Sequence, residues 1–182
     1  MKRILATFAI ASALTLAGCS DDHDHDHDHD HDHDVINRLV LTVAAEGETE
    51  RSFVWEDADG DGGNNPNRID TVKLSANKIY TGTVTVFNTL ETPSKDLTGT
   101  IRTDGKEHQF FYTVTNGIAS IEYADQDERG RPLGLAIRLT TTTAANGTLQ
   151  VELQHFDNEN DKTGTNRSDE TDINLTFPVV VQ

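Results

Sequence analysis

Beyond residue 35 apolar and polar positions alternate with a period of two. Leu149, Val151 and Leu153 are separated by polar residues, and Ile173, Leu175, Phe177, Val179 and Val181 repeat the pattern more cleanly. Successive side chains on a strand point to opposite faces, so such a run sets one face on a core and the other in water. Similar runs lie near 36–44, 51–56, 69–75, 78–88, 97–103, 107–115, 118–124 and 134–142, rich in the Thr, Val, Ile and aromatic residues that strands prefer. Asp104-Gly105, Asn116-Gly117 and Asn146-Gly147 supply turn signals. No segment carries an apolar stripe at helical spacing. The pattern predicts an all-β domain over 35–182, an antiparallel β-sandwich of about ten strands and of immunoglobulin-like kind. Its length, about 150 residues, suffices for one domain with a sizeable core.

The N-terminal segment follows another rule. Lys2 and Arg3 precede an apolar run from Ile4 to Leu16, which is too short to span a bilayer and has the order of a secretory leader. The run ends in Leu16-Ala17-Gly18-Cys19, which resembles the lipobox of bacterial lipoproteins. That resemblance implies that residues 1–18 are a signal peptide and that Cys19 is acylated on its thiol and its new amino group. A buried CH₂ contributes about 0.8 kcal/mol and one acyl chain binds only marginally, so the three chains implied here hold to a lipid bilayer essentially permanently. Cys19 is the only cysteine, which excludes an intrachain disulfide, a thiolate metal site and a cysteine nucleophile. Ser20-Asp21-Asp22 resembles the acidic export signal of lipoproteins from Bacteroidetes-type bacteria. It implies an outer-membrane anchor facing the cell surface, with a periplasm-facing anchor as the alternative.

From residue 23 the chain alternates strictly. His23, His25, His27, His29, His31 and His33 are each followed by an aspartate, namely Asp24, Asp26, Asp28, Asp30, Asp32 and Asp34. No apolar residue interrupts this stretch, so residues 19–34 are expected to form a tail that stays disordered when metal-free. Imidazole suits Zn²⁺, Cu²⁺ and Ni²⁺, and carboxylates complete the shell or hydrogen-bond the second ring nitrogen. The i, i+2 spacing lets neighbouring histidines of an extended segment converge on one ion. Six equivalent histidines allow many registers, so a mobile population of ions is expected rather than one rigid site. The competing reading is a charged spacer, for which six histidines have no use.

Charge narrows the partners further. The formal charge is −16, and loss of Lys2 and Arg3 with the leader makes it −18, of which the eight aspartates between Asp21 and Asp34 carry −8. Nucleic acid and anionic lipid surfaces are therefore excluded as partners.

Within the domain, Trp55-Glu56-Asp57-Ala58-Asp59-Gly60-Asp61-Gly62-Gly63, Glu107-His108-Gln109-Phe110-Phe111-Tyr112 and Glu170-Thr171-Asp172-Ile173 resemble a group of small lipoproteins of Bacteroidetes-type bacteria. The resemblance implies no site chemistry. Asp57, Asp59 and Asp61 with their glycines form the opening half of a Ca²⁺ loop, in which carboxylates converge where the chain turns sharply. The second half departs from the motif, since Arg68 stands where a bidentate glutamate belongs. The run also reads as an acidic hairpin loop. Two more acidic loops, Asp125–Gly130 and Asp157–Gly164, follow strands. In a simple up-and-down order these two share one end of the domain with His108 and His155, and Asp57–Asp61 lies at the other. His108 and His155 with Asp125 or Asp157 form a candidate metal site, against the alternative of structural histidines at strand ends.

No nucleophile elbow, His-Glu-x-x-His or phosphate-binding glycine loop is present, so catalysis is not expected. The leading expectation is a membrane-anchored lipoprotein that collects Zn²⁺, or Cu²⁺ or Ni²⁺, and presents it to or docks on an outer-membrane transporter. The rival is an adhesive β-sandwich module with the tail as spacer.

Overall fold

A computed structural model describes residues 35–60 and 63–182. The leader, Cys19, the His–Asp repeat from His23 to Asp34, and Asp61 lie outside the described residues. The described chain is mostly β. Its elements are β1 (Arg38–Ala44), β2 (Arg51–Glu56), β3 (Arg68–Ile69), β4 (Val72–Leu74), β5 (Ile79–Asn88), β6 (Lys95–Asp96), α1 (Thr98–Thr103), β7 (His108–Val114), β8 (Ala119–Tyr123), β9 (Ala136–Thr141), β10 (Ala145–His155) and β11 (Glu170–Val181). One sheet runs β3-β2-β1-β5-β9-β8 with β6 paired to β5, and the other runs β4-β11-β10-β7. Among these pairings only β4 with β11 is parallel.

Alternation explains why the two sheets meet. Leu39, Leu41 and Val43 of β1 and Val84 and Val86 of β5 point inward from the first sheet, and Leu149, Val151 and Leu153 of β10 and Leu175 and Phe177 of β11 from the second. All are buried in one apolar cluster, so each sheet covers the other's inner face in a sandwich-like arrangement. Full burial of such a side chain contributes about 1.5–3 kcal/mol, which makes this cluster the main support of the fold.

One expected strand is a helix, and this changes the topology. The 97–103 segment forms α1, because Leu97 and Ile101, four residues apart, share one buried face. Asp96 Oδ1 accepts the Thr98 N–H at 2.8 Å and starts the turn. Six residues are too few to announce a helical period. Losing one strand removes one reversal of direction, so every later strand runs opposite to a strict up-and-down order. The parallel β4–β11 pair records that reversal. As a result the β2–β3 connection, the β8–β9 loop and the β10–β11 loop gather at one end, where the sequence had placed the first of them apart.

Candidate functional site

At that end His108 opens β7 and His155 closes β10, directly opposite each other in the register. Phe156 N–H donates to Glu107 O at 2.7 Å, whereas Phe110 N–H turns outward to Leu133 O. The His108–His155 pair therefore falls at a narrow position of the ladder, where facing side chains approach most closely. His155 continues the inward parity of Leu149, Val151 and Leu153, which puts both imidazoles on the inner face, at its rim. Their rings meet edge-on, 4.8 Å between centroids and 71° between planes.

A register shift adds the third group. Leu153 pairs with Ile173, but Gln154 pairs with Thr171 and His155 with Glu170, so Asp172 is an extra residue on β11. An extra residue breaks the alternation and re-aims a side chain. Asp172, which regular pairing would send outward, instead brings Oδ2 to 3.6 Å from His108 Nε2.

Hydrogen bonding fixes the protons. His108 Nδ1 lies 3.0 Å from Asp104 O, and a carbonyl only accepts, so Nδ1 carries the hydrogen. In neutral His108 the Nε2 lone pair then faces His155 Nδ1 at 3.1 Å, so His155 donates to it. Burial pulls His108 below the ordinary histidine value of 6.5, although the Asp104 carbonyl and the Asp172 carboxylate oppose this and His155 adds to it. Two imidazoles and a carboxylate thus converge, with side-chain exposures of 11%, 7% and 13% for His108, His155 and Asp172. On the outer side, Asp157 Oδ1 lies 3.8 Å from His155 Nε2, and exposed Glu170 completes a looser grouping.

The other sequence candidates are placed differently. Asp125 is turned away, its two oxygens accepting the N–H groups of Gly134 at 2.7 Å and Ala136 at 3.0 Å. Gly134 sits at φ +93°, and a Cβ there would lie 2.8 Å from Phe110 Cβ, so this clasp needs glycine. Asp59 Oδ2 accepts the backbone N–H of Asn64 at 2.9 Å and its side-chain amide at 2.6 Å. Those two bonds, and contact with Asp57, hold its carboxyl below the ordinary value. Asp57 lines a cleft of about 440 Å³ together with Asn37, Trp55, Asn64 and, from β11, Asp172 and Asn174. Asp172 is therefore shared between the cleft and the histidine pair.

A second buried polar cluster has no forerunner in the sequence reading. Lys162, within an acidic loop, is fully buried and donates to Gly105 O at 2.6 Å and to Asp127 Oδ2 at 3.0 Å. Asp127 Oδ1 accepts the N–H groups of Arg129 and Arg131, both at 2.9 Å. Burial raises the Asp127 carboxyl, but the Arg131 N–H, the Lys162 ammonium and the Arg129 N–H outweigh it and hold the group below 3.8. Burial likewise draws Lys162 below the usual lysine value. Arg129 pairs with Glu159, and Lys106 reaches Glu128 and Glu159, both at 3.2 Å, so the two acidic loops are locked to each other. A lone lysine among acidic residues was the only signal.

No family model, curated protein or solved structure matches this chain.

Proposed function

We propose that this protein is a membrane-anchored lipoprotein that captures divalent transition metal, zinc foremost, through its His–Asp repeat, and presents the ion to or docks on a membrane partner such as an outer-membrane transporter. The observation that carries the reading is the strict alternation from His23 to Asp34 immediately behind Cys19. Imidazole and carboxylate at every second position form a donor set for borderline cations, and acylation of Cys19 keeps it at an outer-membrane surface, facing the cell exterior or the periplasm. The β domain is read as an immunoglobulin-like sandwich that serves as the docking body, with the parallel β4–β11 pair as a local departure.

The test is calorimetry on the mature chain and on a variant with all six tail histidines replaced by asparagine. The wild type should bind more than one Zn²⁺ at the tail, with affinity limited by the cost of ordering the chain, about 1–2 kcal/mol per residue. Binding should fade from about pH 7 to pH 5 as imidazoles protonate. If the asparagine variant takes up as many ions as the wild type, the tail is not the collector.

A specific observation favours the rival adhesive module. Asn37 lines the cleft, is buried, and its Nδ2 has no hydrogen-bond partner among the described residues. An amide donor beside Asp57, Asn64 and Asn174 suits a hydroxyl-bearing ligand such as a glycan. A glycan-array hit abolished by Asn37→Leu would favour that reading.

A further inference from the structure

We propose that the β domain holds a transition-metal site of its own, built from His108, His155 and Asp172, that takes one borderline cation such as Zn²⁺. The site stands on the domain's geometry alone and needs no histidine of the tail.

Spacing is the first argument. Tetrahedral Zn²⁺ with bonds of roughly 2.0–2.1 Å sets neighbouring ligand atoms about 3.3 Å apart. His155 Nδ1 and His108 Nε2 stand at 3.1 Å, and His108 Nε2 and Asp172 Oδ2 at 3.6 Å, on either side of that edge length. The ligand atoms of all three residues lie within 4.8 Å of one another. Small side-chain rotations, without movement of the strands, bring them onto one ion.

The second argument is support behind the ligands. A metal-binding histidine typically gives its other ring N–H to a carbonyl or carboxylate, which fixes the tautomer and the ring. His108 does this through Nδ1 to Asp104 O at 3.0 Å, leaving Nε2 for the ion. His155 keeps Nε2 on the side of Asp157, 3.8 Å away, while Nδ1 faces inward. On binding, the ion takes the place of the hydrogen on His155 Nδ1, and His155 stays neutral by carrying its one ring hydrogen on Nε2 instead, on the side of the Asp157 carboxylate.

The third argument is backbone design. Asp172 reaches this position only through the register shift in β11, and a regular strand would have turned its carboxylate outward. Two imidazoles and one carboxylate leave a fourth coordination position for water or an incoming ligand. Asp172 also lines the cleft, which gives that position a route to solvent. An open, exchangeable position suits reception and release of an ion better than permanent structural binding.

The experiment uses the mature chain with the six tail histidines replaced by asparagine, so that His108 and His155 are the only histidines left. Co²⁺ is the spectroscopic probe and Zn²⁺ the competitor. The expected result is one Co²⁺ per chain, with the visible bands of low coordination number displaced stoichiometrically by Zn²⁺. Nitrogen-15 spectra should show His108 Nε2 and His155 Nδ1 both changing on Zn²⁺ addition, which reads the site without altering it. Asp172→Asn should weaken binding about tenfold to a hundredfold, and His155→Asn more, with Glu170→Gln as an unaffected control. A folded six-asparagine chain that takes up no Co²⁺ or Zn²⁺ would overturn the proposal. So would binding that survives Asp172→Asn and is lost in Glu170→Gln, since the ion would then sit on the outer grouping. The tail reading is judged separately, by the ions bound to a chain with an intact tail and His155→Asn.

Discussion

Two buried polar clusters lie at the same end of this domain and differ in one respect. Around Lys162 charge meets opposite charge: the ammonium has Asp127 and the Gly105 carbonyl as acceptors, and Asp127 accepts two backbone N–H groups besides. Around His108 the groups that converge are mainly acceptors, a ring nitrogen lone pair and a carboxylate, with one shared imidazole proton between the rings. Charge-balanced burial serves to fix loops. Lone pairs gathered on one point serve a cation, and the same bury-and-pair rule therefore separates a lock from a receptor.

The largest effect that breaks this comparison should come from the lock. Lys162→Met leaves the Asp127 carboxylate and the Gly105 carbonyl buried without their partner, and breaking a buried pair from one side costs about 3–5 kcal/mol. Urea unfolding should register that loss, with no change in metal uptake by any chain that remains folded. Acid should find the same pair. The Asp127 carboxyl is held below its unfolded value of 3.8, so its contribution is fully present above that pH and is lost as pH falls through the folded value. Asp127→Asn should flatten the acid limb of the stability curve below about pH 4.

Next in size is the response to metal. An ion that binds the folded domain alone adds about 2.7 kcal/mol when its free concentration is a hundred times Kd. In the chain without tail histidines, Zn²⁺ should raise the melting temperature, EDTA should reverse it, and Asp172→Asn should remove about half of the gain or more. Smaller still is the metal-free worth of the imidazole pair. His155→Leu strands the His108 Nε2 acceptor and should cost about 1–3 kcal/mol, whereas His108→Leu with His155→Leu removes both partners and should come out near neutral. A double change as costly as the sum of the singles would mean that the two imidazoles are not coupled, and the shared proton on which the contrast rests would disappear.

Period-two alternation was enough to anticipate a β domain from residue 35, because burial of one strand face writes itself directly into sequence. Parity also carried His155 to the inner rim, and the ends of two runs set His108 and His155 at the same end. Asp172 was illegible for the opposite reason. It is polar and out of phase with Ile173, Leu175 and Phe177, so alternation sends it to water, and only the extra residue in β11 brings it in. Directions failed at α1, where Leu97 and Ile101 look like strand positions and one missing reversal moved the Asp57 loop to the other end of the sandwich. Lys162 was lost because a long-range ion pair has no local pattern: its partner is 35 residues away in sequence. Proximity of the two acidic loops could be guessed, but not that one cation joins them.

The smallest effect concerns the Asp57 loop, and it sharpens the comparison by changing the cation. Ca²⁺ is hard and takes carboxylate and carbonyl oxygens, whereas the imidazole pair suits borderline ions. Asp57 and Asp59 are in contact with each other, but Asp59 Oδ2 already accepts two bonds from Asn64, so an ion must displace or share those donors. Affinity should therefore lie at the weak end of extracellular modules, about 1 mM, and a few millimolar Ca²⁺ should stabilise the domain by about 1 kcal/mol or less. Thermal unfolding of the chain without tail histidines, with Ca²⁺ titrated in, measures this against the triple variant Asp57→Asn, Asp59→Asn and Asp61→Asn. The Ca²⁺ increment should vanish in the triple variant and survive His155→Asn, while the Zn²⁺ increment does the reverse. An equal loss of both increments in either variant would mean one mixed site spanning the cleft through Asp172, with no division between oxygen and nitrogen donors.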